Sequence, residues 1–241
     1  MRYGIFSDVH SNLEALEVVL KAIEEEKVDQ FLCAGDLVGY GAEPAACLTL
    51  LREKAVQSVC GNHDVAVTGR MDLDWFNEAA RAAVEWTSKQ ISQTDRSYLN
   101  DLKLVWNNSD LALVHGCLYE PEQFHYVITP ADAQPSFHLQ KTPVAFIGHT
   151  HTPGIFIQEG MNLSFQRVPE LHLDSRCRYL VNVGSVGQPR DGDPRAAWCL
   201  YDTQKQTLQI RRVSYPVEQA QAKIRKTGLP GFLADRLMVG Y

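Results

Sequence analysis

Short apolar runs alternate with longer stretches of helical period through the first quarter of the chain, and each run stops on polar residues. Tyr3-Gly4-Ile5-Phe6 is a buried-strand run that ends at Ser7-Asp8. Asn12 then stands as an N-cap before a helix from Leu13 to about Lys27, with Leu13, Leu16, Leu20 and Ile23 as its apolar stripe. A second strand, Gln30 to Cys33, ends at Gly35-Asp36, and a helix from about Glu43 to Lys54 follows. Val56 to Val59 forms a third strand, closed by Gly61-Asn62-His63-Asp64. Strand, polar segment and helix in repetition predict an α/β architecture.

After Asp64 the rhythm changes. Residues 72–102 predict two helices, with Trp75, Ala79, Ala82, Ala83, Trp86 and Ile91 on the apolar side of the first. Aromatic residues at helical spacing read first as a cover over the sheet, and alternatively as a lid beside a substrate cleft. Leu111 to Val114 is a strand feeding His115, and Pro143 to Ile147 feeds Gly148. Beyond Pro153, segments 154–158, 163–168, 178–183, 196–202 and 207–213 alternate as antiparallel strands of a second sheet, and a short helix near 217–226 closes the domain. With no internal repeat or long linker, 241 residues fit one domain.

Composition narrows the function classes. Hydrophobic residues at 45% and charged residues at 22% suit a globular protein with a sizeable core. A net charge of −6 argues against a protein that coats long duplex nucleic acid. A small anionic substrate stays compatible, because bound cations invert the local field. The six cysteines, at 33, 47, 60, 117, 177 and 199, contain no Cys-x-x-Cys pair, which excludes a zinc ribbon and predicts reduced, mostly buried thiols in a cytoplasmic protein. No signal-peptide-like segment or membrane-spanning run is present, and no Gly-x-Ser-x-Gly elbow supports serine hydrolase chemistry.

The candidate chemistry lies where the apolar runs end. Asp8-Val9-His10, Gly35-Asp36, Gly61-Asn62-His63-Asp64, Val114-His115-Gly116 and Gly148-His149-Thr150-His151 all follow short apolar runs. Side chains at the carboxyl ends of strands converge in the crevice above an α/β sheet. Asp8 and His10 alternate across Val9, as His149 and His151 do across Thr150, a spacing that lets each pair reach one ion. A lone Asp-x-His is weak, but five such segments together describe a two-metal site. Oxygen and imidazole donors without thiolate suit Mn²⁺, Fe²⁺ or Zn²⁺. His125, His138 and His172 match no motif and read as surface or core residues.

In this order the segments resemble the calcineurin-like metallophosphoesterase superfamily. Ser7 to Asn12, Gly39-Tyr40-Gly41 and Asn182 to Arg190 resemble its compact bacterial and archaeal phosphodiesterase branch. The resemblance implies a single metallophosphoesterase domain over residues 1–241, with 72–102 as the helical cover. Its fold would be a four-layer αββα sandwich of two mixed sheets flanked by helices. By motif, Asp8, His10 and His151 would hold one metal, Asn62, His115 and His149 the other, and Asp36 would bridge them. The implied reaction is hydrolysis of a small phosphodiester or a nucleotide phosphoanhydride, by hydroxide held between two divalent cations. His63 would protonate the departing oxygen, and Asp64 would fix its tautomer, or else cap the segment that follows. Arg190 or Arg195 would contact phosphate or stay a solvated loop charge, and Tyr40 would stack on a base or pack over its loop.

Protein phosphatases of the superfamily carry Gly-Asp-x-x-Asp-Arg-Gly and Gly-Asn-His-Glu. Here the second motif reads Gly35-Asp36-Leu37-Val38-Gly39-Tyr40-Gly41, without arginine, and Asp64 replaces the glutamate. Val183 stands where relatives often carry proline. A Ser/Thr phosphoprotein phosphatase or phosphomonoesterase is therefore the second reading. A non-catalytic scaffold, such as the retromer subunit of this fold, comes third, because that protein lacks the catalytic histidine. Metal identity, physiological substrate and oligomeric state stay open.

Overall fold

Apolar alternation along the strands sorts them into two sheets with a shared interior. The structure, a computed structural model, describes residues 1–241. The first half runs β1 (Arg2–Phe6), α1 (Leu13–Glu25), β2 (Gln30–Cys33), α2 (Pro44–Glu53), β3 (Gln57–Ser58) and α3 (Asn62–Val67), then the helices α4 (Glu78–Gln90) and α5 (Gln93–Asp101). Next come β4 (Val105–Asn107), β5 (Leu111–Val114), α6 (Pro130–Leu139), β6 (Val144–Ile147), β7 (Gly154–Glu159), β8 (Asn162–Gln166), β9 (Glu170–His172) and β10 (Cys177–Asn182). The chain ends with β11 (Ala196–Asp202), β12 (Thr207–Val213), α7 (Val217–Lys226) and α8 (Gly231–Val239).

One sheet has the order β3-β2-β1-β11-β12-β9 and the other β4-β5-β6-β10-β7-β8. Both are mixed: β1 is parallel to β2 and antiparallel to β11, while β10 is parallel to β6 and antiparallel to β7. Tyr3 and Ile5 of β1 face inward with Leu32 to meet Phe146, Ile155 and Val181 of the other sheet. Phe6, Trp198 and Leu200 lie in the outer layer with Leu16 and Leu20 of α1 and Leu237 of α8. Phe137 of α6 covers Ala112, Ala145 and Leu180 on the far face. This is the expected four-layer sandwich, produced by the two-residue period of each strand.

The single antiparallel second sheet expected after Pro153 does not form. β7, β8 and β10 extend the sheet of β5 and β6, whereas β11 and β12 return to the first sheet, with Arg2 opposite Asp202 and Ile5 opposite Cys199. Every residue of β11 is buried, so it needs a central place in a sheet covered on both faces. Trp75 also departs from expectation: it sits in a 3₁₀ turn, Leu73–Trp75, ahead of α4 and is 83% exposed. The buried face of α4 is Ala80, Ala83, Val84 and Thr87. The third strand is cut to two residues because the backbone turns into α3 at Asn62. All six cysteines are unpaired, and no helix is long and apolar enough to cross a membrane.

Candidate metal centre and its cleft

Five chain segments deliver the donors from both sheets. Asp8 and His10 follow β1, Asp36 follows β2 and Asn62 opens α3. His115 follows β5, and His149 and His151 follow β6. The backbone turns sharply at these points: φ is 54° at Asp8, 49° at His10, 52° at Asp36, 67° at His149 and 59° at His151. The left-handed region is costly for non-glycine residues and persists only where the surroundings fix it. Here Asp8 N–H donates to Gly35 O at 2.9 Å, His10 N–H to Asp36 O at 3.1 Å and Gly148 N–H to His115 O at 2.9 Å. Each turn thus leans on its neighbour.

The donor atoms form two groups that share one residue. His151 Nε2 lies 3.2 Å from Asp8 Oδ1 and 3.1 Å from His10 Nε2, and His10 Nε2 lies 3.6 Å from Asp36 Oδ2. In the second group His115 Nε2 is 3.3 Å from Asp36 Oδ2 and 3.1 Å from His149 Nδ1. Asp36 Oδ2 therefore stands between the groups, while Oδ1 accepts the His63 backbone N–H at 2.9 Å. Backbone carbonyls fix the rings from behind: His10 Nδ1 pairs with Val38 O, His115 Nδ1 with Ala34 O and His151 Nδ1 with Gln188 O. Such outer contacts set the tautomer and aim the free nitrogen at a shared point. Asp8 Oδ1 and Asn62 Oδ1 are buried with no hydrogen-bond partner, which a buried oxygen tolerates poorly unless a cation takes that place. The donor set fits divalent metal ions.

The electrostatics agree. Burial would raise the Asp8 and Asp36 carboxyls, but His151 beside Asp8 and His115 beside Asp36 hold both below the usual carboxylate range. Burial lowers His10 well below its ordinary value and His149 to about 3, so both rings are neutral, as metal ligands must be. Against burial, the Asp36 carboxylate raises His115 to about 9.

His63 lies in the cleft next to both groups, with Nδ1 unpartnered and its ring packed among His10, Tyr40 and Phe76 at centroid distances of 4.9, 4.4 and 5.0 Å. Gly39, at φ +94°, makes room for it, since a Cβ there would come within 2.5 Å of His63 Nδ1. Asp64 does not reach the imidazole. Its Oδ1 accepts N–H groups of Leu37 and Val38 at 2.9 and 3.2 Å, and Oδ2 accepts that of Gly61 at 2.9 Å. The carboxylate is spent on capping α3 and tying it to the Asp36 loop. Burial and the Asp36 charge push it up to about 7, against the three donors that favour its ionised form.

Arg190 and Tyr40 both line the cleft, the guanidinium 5.7 Å from the Tyr40 ring centroid and bonded to Gln188 Oε1 at 2.7 Å. Arg195 is instead paired with Asp193 and does not line it. His125, His138 and His172 are exposed. The cleft, about 450 Å³, also has aromatic walls, one from the 72–102 segment and one that the sequence left unmarked. Trp75 and Phe76 come from the segment before α4, and Tyr126 from the loop after β5, its ring stacked on His149 at 4.0 Å. The legible signal was Trp75 directly after the acidic Asp72-Leu73-Asp74, a poor position for a core tryptophan.

Comparison with known proteins agrees with this geometry. A profile described as calcineurin-like phosphoesterase superfamily domain matches residues 1–206. An uncharacterised protein of Methanocaldococcus jannaschii is 37% identical over 241 residues, spanning 98% of this chain and 97% of that protein. A metallophosphoesterase from Sphaerobacter thermophilus superposes with a TM-score of 0.86 at 38% identity, covering 100% of this chain and 99% of that one. A hypothetical protein from Pyrococcus horikoshii OT3 shares the fold at a TM-score of 0.82 and 18% identity, with 100% and 98% covered.

Proposed function

Because the chain belongs to the calcineurin-like phosphoesterase superfamily, and so to the metal-dependent phosphoric ester hydrolases, we propose that it cleaves a small phosphodiester or nucleotide phosphoanhydride at a two-metal centre. The observation that carries this reading is Asp36 Oδ2, placed between two separate groups of donors. Asp8, His10 and His151 would hold one cation, Asn62, His115 and His149 the other, and Asp36 both. Two such ions supply Lewis acidity at phosphorus and a nucleophile available at neutral pH.

The protein's own groups do the rest. Arg190 presents a fixed positive charge in the cleft, suited to a phosphoryl oxygen. His63 supplies the proton for the departing oxygen. Burial holds it down to about 4, so the ring is neutral in the free site, and an anionic ester beside it is the neighbour that raises it. Asp64 is a positioning residue: by fixing the backbone at Gly61, Leu37 and Val38 it sets Asn62 and His63 against Asp36.

The test is hydrolysis by chelator-stripped protein reloaded with Mn²⁺, on an aryl phosphodiester and an aryl phosphomonoester, with bound metal counted by elemental analysis. Two equivalents of metal and a preference for the diester are expected. A monoester preference moves the phosphomonoesterase reading to first place. One equivalent of metal, or full activity after stripping, would sink the two-metal assignment.

A further inference from the structure

Trp75 is a large apolar side chain that the core does not use. It is 83% exposed, stands on a three-residue turn and lines the same cleft as Asp36, Asn62 and His63. Tyr126, another large ring on this cleft, is 54% exposed. Exposed aromatic rings beside a reaction centre mark a surface for a flat partner. The Gln123 amide and the Asn77 NH2 line the same space and offer donors and an acceptor, the Asn77 Oδ1 being taken by the Ala80 N–H as the cap of α4. Arg190 is the only lysine or arginine on the lining, and Glu122 adds a carboxylate. Recognition of whatever esterifies the phosphate therefore relies on neutral contacts. A ring with two π faces and a polar edge satisfies all of these at once, and a nucleobase is such a ring.

Resting on the phosphodiesterase reading, we propose that Trp75 determines specificity by stacking on the base of a nucleoside phosphodiester. Trp75 is not one of the candidate metal donors, so its contribution is to substrate choice rather than to the chemical step.

Two esters with one leaving group test this, thymidine 5′-(4-nitrophenyl phosphate) and methyl 4-nitrophenyl phosphate. In both, water adds through oxygen to phosphorus, the bond to 4-nitrophenolate breaks and a proton passes to solvent. Only the thymidine ester carries a base. The metal-loaded protein should prefer it in kcat/KM by about 10- to 100-fold, the usual worth of one stacked base. Trp75→Ala should lose about 10- to 100-fold more on the thymidine ester than on the methyl ester, and Trp75→Phe should restore most of that preference. Equal rates on the two esters in the unaltered protein, or an equal loss on both in Trp75→Ala, overturns the proposal. Failure to cleave either ester refutes the phosphodiesterase reading instead. Stacking is then decided by fluorescence: thymidine 5′-monophosphate should quench the unaltered protein and not Trp75→Ala, and identical quenching in both rejects it.

Discussion

The imidazole of His63 reaches the cleft with Nδ1 unpartnered, whereas the neighbouring Asp64 carboxylate is turned into the backbone, accepting three N–H groups. Substitution should separate the two. His63→Ala is expected to keep its bound metal and lose about 10²- to 10⁴-fold in kcat on esters with poor leaving groups, and far less on nitrophenyl esters. Asp64→Asn is expected to cost about 1–3 kcal/mol of stability in urea, since its amide turns a donor toward N–H groups that need an acceptor. A general acid loses most where the leaving oxygen needs a proton most, so a loss independent of leaving group would remove His63 from that role. The candidate donors were legible because polar side chains closing apolar runs gather at the strand ends of an α/β sheet, and their division between two ions came from the motif resemblance. The duty of Asp64 was not, as Asn62-His63-Asp64 reads alike whether the carboxylate faces a ring or a turn. Trp75 was misread as a helix-face residue because its neighbours fit a helical period; only the three-dimensional turn takes it out of phase.

The helices α4 and α5 dock through capping and charge as well as through apolar surface. Asp95, in the first turn of α5, forms a reciprocal cap with Ser92, accepting its N–H at 3.1 Å and hydroxyl at 2.7 Å, and its Oδ1 lies 2.8 Å from Arg52 of α2. Burial opposes the charge, but the Ser92 and Arg52 contacts win and lower the Asp95 pKa. A carboxylate lowered on folding stabilises above its unfolded value of about 3.9, and that stability is lost as pH falls through the folded value. Asp95→Asn should therefore cost about 1–2 kcal/mol at pH 7, with the gap from the unaltered protein closing as the pH falls below about 3.9. A constant gap in urea midpoints across that range would mean the charge is not what matters. Both helices were readable from their period. α6 was hidden by Pro130 and Pro135, which suppress a helix in any propensity reading although the first sits harmlessly at its start. β4 and β9 are three residues each, too short for alternation to show, and α8 follows Pro230-Gly231, which reads as a stop.

Across the whole molecule, the donor groups join the ends of two sheets that otherwise meet through their apolar interior. Asp8, His10, Asp36 and Asn62 belong to one side, and His115, His149 and His151 to the other. Cations there would fasten the sandwich at one end. Binding at 100 times Kd is worth about 2.7 kcal/mol, so Mn²⁺ should raise the thermal midpoint of stripped protein by roughly 5–10 °C. Asp36→Asn should blunt the rise, and an unchanged midpoint would show that the ions do not fasten the sheets. The return of β11 to the first sheet, unlike the donors, was invisible from local pattern, because antiparallel strands of similar composition do not announce which neighbour they will pair with. The cleft has one further consequence. Its metal donors stand on rigid strand ends, while Trp75 and Tyr126 stand on loops outside both sheets. Substitutions in those loops can redirect the enzyme toward new esters while the reacting centre is inherited unaltered, so lineages of this architecture are free to diverge in diet before they diverge in chemistry.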